Sequence, residues 1–131
     1  MRGAPGTIAA MIDHMSIVVR DLETSKKFYA AALAPLGYSL MMEFPGVAGL
    51  GEGGKPDFWM SAKPELAAPA HVAFAAKDRA SVDAFYRAAI AAGAKDNGEP
   101  GPRPQYHQNY YGAFVLDPDG NNIEAVCHSP G

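Results

Sequence analysis

Cysteine is almost absent from the sequence: Cys127 stands alone among 131 residues. With no intrachain disulfide and no sulfur-rich zinc site available, a reducing cytoplasm is the default compartment. Also missing is any apolar stretch near the roughly 20 residues that cross a bilayer, so no membrane partner is expected. The first ten residues lack the basic and apolar blocks of a signal peptide. Charge of one sign never collects: 11 Lys and Arg against 14 Asp and Glu give a net charge of −3 and no basic stripe for nucleic acid. At 48% hydrophobic and 19% charged residues, the composition excludes disorder, collagen-like repeats and a long fibrous helix. What remains is one globular domain that withdraws about two thirds of its unfolded surface from water. Residues 1–10, rich in Gly, Ala and Pro, read as a flexible tail before a single domain over 11–131.

The chain repeats itself. His14, Asp21, Phe28 and Tyr29 recur 57 positions on as His71, Asp78, Phe85 and Tyr86 (14 to 71, 21 to 78, 28 to 85). Two modules, about 11–63 and about 69–128, therefore pack as one pseudo-symmetric unit. Each opens with a strand, Ile12 to Val19 or Ala70 to Ala76, whose alternation sorts large from small side chains. Met15, Ile17 and Val19 share one face, leaving His14 with Ser16; Val72 and Phe74 share another, leaving His71 with Ala73 and Ala75. Pseudo-symmetry is then expected to bring both histidines together where the small-residue faces meet.

Asp21 and Asp78 stand where helix N-caps belong, and apolar stripes at helical spacing follow, ending near Gly37 and Gly93. Phe28, Tyr29, Phe85 and Tyr86 are core on this reading. Extended segments come next: Tyr38 to Phe44, Val47 to Leu50 and Asp57 to Ala62, then Lys95 to Glu99, Tyr110 to Leu116 and Asn122 to Cys127. Each module reads β-α-β-β-β, an α+β class. Asp117-Pro118-Asp119-Gly120 predicts a tight hairpin turn. The run from Gly98 to Pro104, with Pro100, Pro102 and Pro104, predicts a loop. Gly49, Gly51 and Gly54 spell G-x-G-x-x-G, but no helix follows to receive a phosphate, so the stretch reads as a hairpin.

Three candidate metal ligands fall at related places: His14 and His71 on the two opening strands, Glu124 on the last. Two imidazoles and a carboxylate suit one divalent ion (zinc, iron, manganese, nickel or cobalt), with positions left open for substrate. His107 is the candidate general base, its ordinary pKa lying near neutral pH. Trp59, Tyr106, Tyr110 and Tyr111 are candidates to line a substrate pocket.

These residues carry a resemblance. Ile12-Asp13-His14, the Asp21 to Gly37 helix with Phe28-Tyr29, His71-Val72-Ala73-Phe74, and Asp117-Pro118-Asp119-Gly120-Asn121-Asn122-Ile123-Glu124 together resemble the vicinal oxygen chelate superfamily over Met11 to His128. That group includes glyoxalase I, extradiol dioxygenases, fosfomycin resistance thiol transferases and bleomycin resistance proteins. The resemblance implies paired modules forming a curved mixed sheet around a cleft, helices on the outer face, and a metal held by His14, His71 and Glu124. It implies a homodimer whose site joins His14 of one subunit to His71 and Glu124 of the other. The fourth ligand position of glyoxalase I falls on Phe58 or Trp59, with Asp57 reached only by a register slip. Of the dioxygenase signature, His107 is present, but Phe114 replaces a tyrosine; Tyr106, Tyr110 or Tyr111 substitutes only if its loop folds inward.

The function expected is metal-dependent lyase, isomerase or thiol-transfer chemistry on a small oxygen-rich or electrophilic metabolite, with glutathione or another thiol as a co-substrate. Dioxygenation ranks below it. The alternative is a non-catalytic drug- or metabolite-binding protein of the bleomycin resistance type.

Overall fold

The computed structural model describes residues 12–65 and 68–131, so the tail expected at residues 1–10 lies outside it. Module one runs β1 (Met15–Val19), α1 (Leu22–Ala32), a 3-10 turn (Ala34–Leu36), β2 (Ser39–Phe44), β3 (Val47–Glu52) and β4 (Lys55–Ala62). Module two repeats this as β5 (His71–Ala75), α2 (Arg79–Ala91), β6 (Lys95–Pro102), β7 (Tyr111–Leu116) and β8 (Asn122–Cys127). The expected mixed sheet comprises two four-stranded sheets, ordered β1-β4-β3-β2 and β5-β8-β7-β6. In each, the opening strand pairs in parallel with the closing one and the other ladders are antiparallel.

Both helices start where their caps dictate. Asp21 accepts from the Thr24 amide at 3.2 Å and Asp78 from the Ser81 amide at 2.8 Å, satisfying amides that a first helical turn leaves without partners. The Ser81 hydrogen bond holds the Asp78 carboxyl below its ordinary pKa. Pro35 closes the first helix early, and Gly37, at φ +91°, ends the 3-10 turn in a backbone conformation that side chains disfavour. No described helix is long and apolar enough to cross a membrane.

Alternation decides which side of each sheet meets its helix. Ile17, Val19, Val72 and Phe74 are buried while Ser16, His71 and Ala73 stay exposed. The two helices touch, and aromatic rings bridge the modules: Phe58 meets Phe74 edge-on at 5.2 Å and Tyr38 meets Phe74 at 5.5 Å, while Tyr29 backs Phe58 from within module one at 4.9 Å. One core therefore serves both modules. Burying a ring such as that of Phe58 contributes roughly 1.5–3 kcal/mol.

One expectation fails. Gly98 to Pro102 is strand, with Gly101 opposite Gly112 and Pro102 opposite Tyr111. The prolines are tolerated because β6 is an edge strand, where a missing N–H breaks no ladder, and the register shifts on both sides of Gly98 absorb them. Gly98 itself lies at φ +147°.

Candidate functional site

Cross-strand registers put the candidate residues of module two in one row. Ala73, Glu124, Phe114 and Gly98 lie side by side across β5, β8, β7 and β6, on the side away from the shared core. His71 stands two residues before Ala73 on the same face. Glu124 is a charged residue only 2% exposed, so its carboxylate depends on partners for the hydration it has lost. It has two: His71 Nε2 lies 3.1 Å from Oε1, and the Tyr110 hydroxyl donates to Oε2. Gly112 leaves room for both, since a Cβ there would come within 3.2 Å of Oε2 and 3.1 Å of the Tyr110 ring. Burial, and then the hydrogen bond to Glu124, raise the Tyr110 pKa well above its ordinary value, so the phenol remains a donor.

His71 Nδ1 lies 2.9 Å from the Asn122 carbonyl, an acceptor, so Nδ1 carries the proton. In the neutral ring Nε2 therefore presents its lone pair to a carboxylate oxygen. A cation between them relieves that opposition, and 3.1 Å suits two ligands each about 2.1 Å from a shared ion. His14 has the same bias: its Nδ1 lies 2.8 Å from Asp13 Oδ2, leaving Nε2 as the nitrogen able to bind a ligand. Lys55 donates to Asp13 in turn.

Module one carries a parallel row, Ser16, Trp59, Gly49 and Met42. Ser16 stands two residues after His14, as Ala73 stands two after His71, so Trp59 occupies the place that Glu124 holds in module two. The module-one counterpart of Glu124 is thus an indole. Trp59 lies across Gly49, where a Cβ would approach the ring to 2.9 Å, and stacks on Phe44 at 6.4 Å. No slip brings in Asp57, which accepts from the Tyr38 hydroxyl at 2.7 Å. A cavity of about 390 Å³ opens here among His14, Lys55, Trp59, Met42 and Val47.

Around Glu124, the link between β6 and β7 forms an aromatic rim. His107 stacks on His128 at 4.6 Å and meets Tyr110 edge-on at 5.1 Å, while Tyr106 meets Tyr110 at 5.0 Å. His107 Nδ1 is engaged with the Gln108 carbonyl at 2.7 Å. Tyr111 departs from the expected pocket: next to Tyr110 in the chain, it turns to the helix side, donates to Asp83 at 2.7 Å and lies under Arg79.

The structure thus brings His71, Glu124 and Tyr110 together, with His107 and Tyr106 at the rim, and sets His14 beside Trp59. Within one chain His14 therefore does not join His71 and Glu124 in a three-residue cluster. Among the described residues, no three His, Cys, Asp or Glu side chains converge. The reason is the shared aromatic core: the modules join through their helix sides, which leaves each histidine on a face turned from the junction. Sequence reasoning missed His128, Arg103 and the particular bond from Tyr110. Extending the β7 alternation back from Phe114 through Gly112 to Tyr110 would have found the last.

A sequence profile described as Glyoxalase/Bleomycin resistance protein/Dioxygenase superfamily matches residues 11–125. A glyoxalase/bleomycin resistance protein from Albidiferax ferrireducens T118 is similar at 32% identity and TM-score 0.80, over 90% of this chain and 99% of that one. A family enzyme described in the same terms from Burkholderia phytofirmans PsJN shares 24% identity, with TM-score 0.71 over 92% and 100%. A lactoylglutathione lyase from Agrobacterium tumefaciens shares the fold at 18% identity and TM-score 0.67, over 90% and 93%. No curated protein matches the chain.

Proposed function

Since the chain belongs to the glyoxalase/bleomycin resistance protein/dioxygenase superfamily, we propose that it is a divalent-metal enzyme acting on a small oxygen-rich or electrophilic metabolite. The observation that carries this reading is the shared bias of His14 and His71. Each commits Nδ1 to an acceptor and keeps Nε2 for a ligand, and Nε2 of His71 already faces the buried Glu124 carboxylate at 3.1 Å. As the three do not converge in one chain, the site is a homodimer's, with His14 of one protomer completing the pair from the other.

A metal held there would supply Lewis-acid polarisation of a bound carbonyl or enolate oxygen. The chain's residues do the rest. Tyr110 fixes the Glu124 carboxylate, Trp59 replaces a fourth ligand with an apolar wall, and His107 stands at the rim as the candidate general base. This suits lyase, isomerase or thiol-transfer chemistry, with glutathione or another thiol as the co-substrate, better than ring cleavage. The single cysteine, buried and unpaired, agrees with a cytoplasmic setting. A second reading, small-molecule binding without turnover, draws support from the apolar wall of Trp59, Phe44 and Met42.

Metal per chain decides between them, measured on protein purified without chelator or metal-affinity resin, beside His14→Ala. Near-stoichiometric metal that is lost in the variant is expected. No metal, even after reconstitution, overturns the enzyme reading and leaves the binding protein.

A further inference from the structure

Arg103 is a cation beside the Glu124 face, lying over Phe114, and none of the chemistry above uses it. Its amide donates to the Tyr110 carbonyl at 2.7 Å, so the loop from 103 to 110 is pinned at the residue whose hydroxyl holds Glu124. Its side chain is equally constrained. Nη1 donates to the Gly101 carbonyl at 2.9 Å and Nη2 to the Glu99 carbonyl at 2.8 Å, and the guanidinium lies 5.5 Å from the centre of the Phe114 ring. Phe114 is the ladder partner of Glu124 and stacks on His71 at 6.3 Å. Two glycines make the space: a Cβ on Gly98 would come within 3.3 Å of Nη2, and one on Gly101 within 3.2 Å of Nη1.

An arginine tied down by carbonyls keeps its full charge, because carbonyls are neutral. Every hydrogen-bond acceptor of this guanidinium among the described residues is a backbone carbonyl, none a carboxylate. The guanidinium offers five N–H donors, more than these carbonyls consume. A fork with its rotamer already fixed loses little entropy on gripping a planar or tetrahedral oxyanion by two parallel bonds. Phe114, on which it lies, separates it from the candidate ligands Glu124 and His71 by one ring, so an anion held there belongs to whatever occupies that face.

We infer that Arg103 is a specificity-determining residue that binds an oxyanion on the substrate, a carboxylate or a phosphonate or phosphate group. The inference rests on reading the Glu124 face as the reaction site. Substrates of this site are anionic, and uncharged analogues bind less well.

The test uses the full chain stripped of metal, titrated with inorganic phosphate and separately with acetate, by calorimetry and by the NMR shift of the Arg103 Nε–H. Saturable binding that moves this resonance is expected, weakened at least tenfold in Arg103→Met and less in Arg103→Lys. The tighter anion assigns the group as phosphoryl or carboxylate. Binding unchanged in both variants, or no saturable binding of either anion, overturns the inference. Zinc uptake is measured on the same samples and is expected to be equal in wild type and both variants. Absent zinc uptake would count against the metal site alone and leave the anion titration standing.

Discussion

Tyr29 and Asp117 lock the two modules to each other. The Tyr29 hydroxyl, on the first helix and wholly buried, donates to a carboxylate that also organises the β7–β8 turn by accepting from the Asp119 and Asn121 amides at 2.9 and 2.8 Å. Alongside, Asp119 accepts from the Arg20 amide at 3.2 Å, so the hairpin tip is held from the other module at two points.

Tyr29→Phe keeps the ring and removes this bond, leaving a buried carboxylate short of a donor. A loss of about 1–3 kcal/mol is expected from urea unfolding near neutral pH. Burial, and then the nearby Asp117 charge, raise the Tyr29 pKa well above 10, so the folded form keeps a proton that the unfolded chain gives up. Its contribution is complete below pH 10 and is lost as pH rises from there towards the folded value. The gap between parent and variant therefore narrows in alkali. A gap that is flat with pH would remove Tyr29 as the cause.

Glu124→Gln is expected to lose most bound metal while keeping its circular dichroism, since an amide is a poorer ligand than a carboxylate. Tyr110→Phe leaves the carboxylate in place without its donor. Metal affinity about 10–100-fold weaker is expected, read by competition with a chelator. Unchanged affinity in both variants would remove Glu124 from the site.

Hybrid dimers test the shared site directly. A His14→Ala chain and a Glu124→Gln chain, each metal-free alone, together rebuild one whole site per hybrid. Random pairing of equal amounts then restores metal to about a quarter of the chains. No restoration after mixing through the unfolded state would exclude a site shared between protomers.

Gly49→Ala forces the indole of Trp59 to move, because its Cβ would lie 2.9 Å from two ring atoms. The chain has a single tryptophan, so its fluorescence reports on that position alone. A shifted emission maximum is expected; an unshifted one would mean that the ring does not lie across β3.

What the sequence made legible follows local rules. Strand parity placed His14 and His71 on the faces away from the core, the two aspartates marked the helix starts, and Gly120 N donating to Asp117 O at 3.0 Å closes the turn where Asp-Pro-Asp-Gly predicted it. The hidden features depend on neighbours distant in sequence. Pro100 and Pro102 are tolerated in strand because, among the described residues, no strand covers that edge of β6. Arg103 came to the site through the bulges at Gly98, and the separation of the histidines follows from Phe58 meeting Phe74. Trp59 could be placed against Glu124 only once both ladders were known.

Each sheet is built from one unbroken stretch, and this has a consequence during synthesis. Residues 15–62 contain every strand of the first sheet, so it is able to pair while the rest of the chain is still being made. Phe58 nevertheless has to wait for Phe74, and Tyr29 for Asp117. At the usual pace of translation, the chain between Phe58 and Asp117 takes roughly 3–12 s to add. For those seconds the nascent half-protein presents an uncovered aromatic wall, and any ribosomal pause within the second module lengthens its exposure to self-adhesion and to chaperones.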